Sequence, residues 1–139
     1  MTMALSAPLQ LALYQRLTTA PELAALAGRI YDDAPQRDPG ENGVFVTLGD
    51  ERVRPWDTAT DRGAAHEIEI RVHGPVRGFL PVKEIAGAVA EVIETSPPQP
   101  ARGHIVTHEF IGARTRREEQ GAARRIDLTF RFVIEDTIS

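Results

Sequence analysis

The chain has no cysteine, which excludes a disulfide framework, a thiolate metal site and a cysteine nucleophile. Lys83 is its one lysine and Trp56 its one tryptophan. No window approaches the ~18 consecutive apolar residues of a spanning helix, so no membrane segment is expected. The stretch Met1 to Pro8 lacks the basic region and longer apolar core of a secretory signal, and the cytoplasm is the expected compartment of synthesis. An excess of positive charge is also missing. A net charge of -4 gives no long-range attraction to nucleic acid or anionic lipid. The preference for arginine over lysine suits bidentate contacts at interfaces, and it fits a GC-rich genome equally well.

What is present is the composition of a globular protein. At 139 residues, 42% hydrophobic and 26% charged, the chain suits one domain over residues 1–139 with one core. Leu9, Leu13 and Leu17 fall on one helical face, with Ser6 or Ala7 as cap and Pro8 in the first turn. Thr19-Ala20-Pro21-Glu22 repeats a helix start, Leu23 and Leu26 supply a second short apolar face, and Gly28 is a stop signal. Two short helices or one broken helix satisfy this pattern. Ile30-Tyr31 reads as a brief extended piece, and the turn-rich stretch from Asp32 to Gly43 reads as a surface segment.

The stretch from Val44 to His73 organises the rest. Val44 to Gly49 is β-branched and aromatic, and His66 to His73 alternates charged and apolar residues, so both read as strands. Gly49 to Gly63 is too long for a tight turn, and Asp50 to Gly63 reads as an extended contact arm. After the break at Gly74-Pro75-Val76-Arg77-Gly78, residues 79–94 place Phe79, Val82, Ala86, Val89 and Ile93 on one helical stripe, widened by Ile85 and Val92. Three prolines among residues 97–100 end that helix. Two further strands follow, His104 to Arg117 and Ile126 to Glu135, with the turn near Gly121. Ile126, Leu128, Phe130, Phe132 and Ile134 should lie under the 79–94 helix. The expected fold is α+β, a mainly antiparallel four-stranded sheet with a long β-hairpin arm, packed against that helix and the short N-terminal helices.

Residues with catalytic or ligating chemistry do not assemble in this pattern. His104 and His108 would share a strand face but lie about 13 Å apart, too far for one zinc. His66 and His73 point to opposite faces, and all four read as solvated strand histidines. Ser6, Ser96 and Ser139 lie near the termini or in a proline-rich loop, not in a strand-turn-helix elbow. The glycines before the 79–94 helix lack the lysine and spacing of a P-loop. The sequence therefore predicts a non-enzyme with no catalytic residue, no cofactor and no metal.

Two features suggest contacts instead. Arg52, Arg54, Trp56 and Asp57 occupy the arm, and Trp and Arg are the residues most enriched at interface hot spots. A tryptophan folded back onto its own core is the competing reading. Arg114, Arg116 and Arg117 face Arg124 and Arg125 across the final turn, with Glu118 and Glu119 able to neutralise them. A subunit interface suits this group better than nucleic acid, which would want net positive charge and interleaved aromatics.

Taken in order, five stretches resemble the phage tail-completion family of long-tailed phages and gene transfer agents. They are Leu9 to Leu17, Ala24 to Pro35, Val44 to Gly49 with Trp56-Asp57-Thr58, Val82-Lys83-Glu84-Ile85-Ala86, and Arg124 to Glu135. The resemblance implies a tail terminator: a ring-forming subunit, commonly a homohexamer, that caps the tail tube and ends its polymerisation. It implies the major tail tube protein and the head-tail connector as partners, with DNA only in transit through the lumen. Assembly would take place in the bacterial cytoplasm, and the final location would be the head-tail junction of the particle. A head-side connector subunit is the nearest alternative, and a small-molecule-binding α+β domain a more distant one.

Overall fold

The computed structural model describes residues 3–26, 28–32, 43–58, 62–74, 78–117 and 124–137. Helix α1, Ser6–Thr19, buries Leu9, Leu13 and Leu17 completely, together with Leu5 just before it. Ala20 is already extended, as a residue preceding proline tends to be. A 3-10 turn over Pro21–Leu26 follows, burying Leu23 and Leu26. Gly28, at φ 81, reverses the chain in a conformation that costs glycine little. Strand β1, Ile30–Tyr31, then runs parallel to β2, Phe45–Pro55, pairing Ile30 with Val46 and Tyr31 with Thr47.

The sequence expectation of four strands is thus corrected to five. Two residues are too few for periodicity to reveal a strand. The backbone bond from Val46 N–H to the Arg29 carbonyl (3.0 Å) helps seat the extra one.

Strand β3, Gly63–Gly74, pairs antiparallel with β2, and β5, Arg124–Glu135, lies between β3 and β4, His104–Arg117. The sheet order is β1-β2-β3-β5-β4. Helix α2, Leu80–Thr95, buries Val82, Ala86, Val89, Val92 and Ile93 against β3, β5 and β4. Ile126, Leu128, Phe130, Phe132 and Ile134 form the buried face beneath it, as their alternation predicts. A side chain at Gly74 would collide with Val82, so glycine there lets the first turn of α2 settle on the end of β3.

The largest departure lies between Gly49 and Gly63. The stretch read as an arm is mostly strand: β2 continues to Pro55, and only residues 56–62 connect it to β3. The pairing slips between Leu48 opposite Ile70 and Glu51 opposite Ile68. One extra residue on β2 makes this a β-bulge. A Cβ at Gly49 would lie 2.9 Å from Arg71 Nε, so glycine is what lets the Arg71 side chain lie against the bulge. Gly-Asp reads as a strand end in sequence, yet here it is a bulge that turns Glu51 toward the core face. The expected surface segment over 33–42, the middle of the 74–78 break and the final turn with Glu118 and Glu119 lie outside the described residues.

Candidate functional site

Both helices pack on one face of the sheet, and the opposite face carries charge in rows across the strands. Arg52 pairs with Glu67, Glu67 with Arg131, and Arg131 with Glu109. In a second row Arg71 pairs with Asp127 and Asp127 with Arg114. Opposite charges directly across a strand pair attract, so these rows stabilise the strand order as well as dressing the surface.

Asp127 is the focus of the second row. It is 6% exposed because arginines cover it, with Arg125 Nε at 2.8 Å, Arg116 Nε at 3.2 Å and Arg71 Nε at 3.9 Å. Partial burial works against the charge on Arg71. The hydrogen bond to Glu69 and the charges of Glu69, Asp50 and Asp127 outweigh that burial and hold Arg71 more firmly protonated than usual.

The sequence-selected residues divide into four places. Arg52 and Arg54 are exposed on the open face of β2, and with half-buried Trp56 they line a shallow hollow of about 120 Å³ shared with Glu67 and Arg131. Asp57 closes the hairpin: its Oδ1 accepts from Gly63 N–H (3.3 Å), while Trp56 N–H donates to the Gly63 carbonyl (3.1 Å). Arg114 and Arg116 stand on the open face of β4. Arg117 is paired with Arg124 on the helix-bearing face, where Arg124 lies 5.4 Å over the Phe79 ring. Arg131 and Asp127 are four residues apart on β5, so the hollow and the Asp127 cluster are separated by about 13 Å along the strand. The arginine run is thus split between the two faces of the sheet.

The histidines need correction. The alternation predicts a solvated His66, yet it is 0% exposed. Its Nδ1 sits 2.9 Å from Glu51 Oε2, and the Ser6 hydroxyl donates to Glu51 Oε1. The connectivity is Ser–Glu–His, with the hydroxyl bonded to the carboxylate and not to the imidazole that would act as its base. Burial pushes the Glu51 carboxyl up. The hydrogen bonds from His66 and Ser6, with the charge of His66, outweigh it and leave the group below its ordinary 4.5. The network ties α1 to β2 and β3. Sequence alternation concealed it, because the bulge reverses which face Glu51 occupies.

His104 and His108 were expected on one face. The register shift between Ile105 and Thr107 places His104 opposite Glu135 and His108 opposite core-facing Phe132. His108 Nε2 reaches the Glu94 carbonyl at 3.3 Å. His73, on the open face, stacks on Phe45 with ring centroids 4.4 Å apart and lies 2.9 Å from the Thr47 hydroxyl. Among the described residues no group of three or more His, Cys, Asp or Glu could hold a metal ion.

Sequence reasoning also missed apolar surface at the two edges of the sheet. Beside β1, Met3, Leu11, Tyr14 and Tyr31 line an open groove of about 740 Å³, with Asp32 and Gln10 among its polar residues. On β4, Val106, Phe110 and Ile111 are exposed. Leu11 could have been noticed, since it falls off the Leu9-Leu13-Leu17 stripe.

The chain matches the family of tail completion protein gp17 over residues 11–135. Among solved structures, it is similar to a chain from the structure described as the virion of a native gene transfer agent (GTA) particle. The two are 36% identical with a TM-score of 0.86, covering 96% of this chain and 99% of that one. No curated protein matches it. The chain belongs to the tail completion family, and it is a structural protein of phage-type tails.

Proposed function

We propose that this member of the tail completion family is a tail terminator whose residues 1–139 act as one domain. Copies form a ring on the head-proximal end of the tail tube, stop its growth and offer the surface to which the head connector docks. The observation that carries this reading is the similarity to a chain of a gene transfer agent virion, at 36% identity over 96% of this chain. Likeness on that scale extends over fold and connections together, which one shared motif would not do.

The role is architectural and not catalytic. It is supported by Ser6 being bonded to Glu51, away from His66, and by the structural character of the family. The partners are further copies of this chain, the major tail tube protein and the connector, with DNA passing through the lumen. Assembly takes place in the bacterial cytoplasm, and the finished particle holds the protein at the head-tail junction. The open sheet face, where Arg and Glu alternate across Arg52, Glu67, Arg131 and Glu109, would not bind DNA tightly if it lined that lumen.

Deleting the gene and imaging the particles tests this. The expected result is tails of uncontrolled length, unattached to heads, restored by supplying the chain in trans. Tails of normal, fixed length joined to heads would contradict it.

A further inference from the structure

Among the described residues, the exposed large hydrophobic side chains other than Leu80 fall into two groups. Met3, Leu11 and Tyr14 flank the groove beside β1, while on β4 Phe110 lies against Phe130 on the helix-bearing face and the bulged Val106 and Ile111 are exposed along the edge strand. Strands β1 and β4 are the two edges of the same sheet, so the groups cannot meet within one copy.

We propose that copies of this chain join head to tail through these two patches. The bulged Ile111 of one copy's β4 seats in the α1/β1 groove of the next, against Leu11 and Tyr14. This rests on the ring reading above and names the contact that would build the ring.

Shape supports the assignment. The groove is concave and apolar. On β4 both register shifts, between Ile105 and Thr107 and between Phe110 and Gly112, leave an apolar residue unpaired and exposed: Val106 and Ile111. A bulged residue is pushed out of the ladder and re-aimed. Bulges on an edge also discourage simple strand addition, so side chains docking into a groove is the contact that β4 favours.

Charge agrees. Exposed Asp32 lines the groove, and β4 continues past Ile111 into exposed Arg114. Symmetry agrees as well. Two different patches at opposite edges make a heterologous contact, which closes into a ring when the rotation permits, whereas groove on groove would give only a dimer and leave both grooves unfilled.

The absence of cysteine allows a clean test with introduced pairs. Particles assembled with the double variant L11C/I111C should give a ladder of covalent multimers on oxidation. The single variants mixed together should give one heterodimer, and neither alone should crosslink. Homodimers of L11C or of I111C, or no ladder from particles that contain the chain, would overturn the contact.

Native mass measurement of the unmodified chain, free and released from particles, separates this contact from the ring itself. A multimer that forms while L11C/I111C stays uncrosslinked refutes the contact and leaves the ring standing. A chain that is monomeric in both settings refutes both. Leu11→Ser and Ile111→Ser should each leave the melting temperature unchanged and weaken self-association roughly tenfold or more, as loss of an interface anchor does.

Discussion

Asp127 joins three strands of the open face, drawing Arg71 from β3, Arg125 from β5 and Arg116 from β4 onto one carboxylate. Asp127→Asn keeps the shape and removes the charge that holds three guanidiniums together. Breaking a fully buried pair costs about 3–5 kcal/mol. These arginine side chains are 23–45% exposed, so solvent screening reduces the expected loss to about 1–2 kcal/mol, read from the urea midpoint. Glu51 offers a pH signature. Its carboxyl titrates below 4.5 in the fold, so the folded state binds that proton less tightly than the unfolded chain. The resulting stability is complete well above 4.5 and is lost as pH falls through the lowered value. Glu51→Gln should therefore lower stability at neutral pH and flatten the acid limb of the stability curve. Trp56 is half-buried beside Ala65 in the hollow. Trp56→Ala should cost about 1 kcal/mol, below the 3–5 of a fully buried aromatic, while weakening assembly. A thermal-melt loss of 3 kcal/mol or more would make Trp56 a core residue instead.

At the level of elements, α1 presents two leucines with opposite duties. Leu13 is 0% exposed and Leu11 55%. Leu13→Ala should cost about 2–5 kcal/mol by leaving a cavity under the helix. Leu11→Ser should change monomer stability by less than about 0.5 kcal/mol. Paired chemical denaturation curves check both. The long elements were legible because their periodicity is undisturbed: the stripe from Val82 to Ile93 and the alternation from Ile126 to Ile134 gave α2 and β5 nearly to the residue. Strand β4 also has the expected bounds, His104–Arg117; what bulges hid was the end of β2 and the face a side chain takes. Gly49-Asp50 looks like a strand end, so β2 was cut short and Glu51, His66 and Ser6 were never brought together. In β4 the bulge at Val106 separates His104 from His108, and those at Val106 and Ile111 put apolar side chains on the surface. A pattern of strict period two cannot report an inserted residue, because one slip exchanges the faces. Of the candidate contacts, Arg52, Arg54 and Trp56 do share one hollow, while Asp57 was recognisable only as a turn residue once Gly63 was seen beside it.

For the whole molecule, the asymmetry of the sheet matters more than any one side chain. Helices cover one face, alternating charge covers the other, and apolar patches sit at opposite edges. A subunit built this way can meet its neighbours edge to edge while leaving the charged face open to solvent or to a lumen. Such an arrangement suits the ring proposed above, and the chain belongs to the tail completion family. The most direct measurement is a density map of the assembled particle with this chain placed in it. The expected result is a closed ring of copies stacked on the last layer of the tail tube and facing the connector. Copies found within the head-side neck, or along the tube without closing a ring at its end, would contradict it.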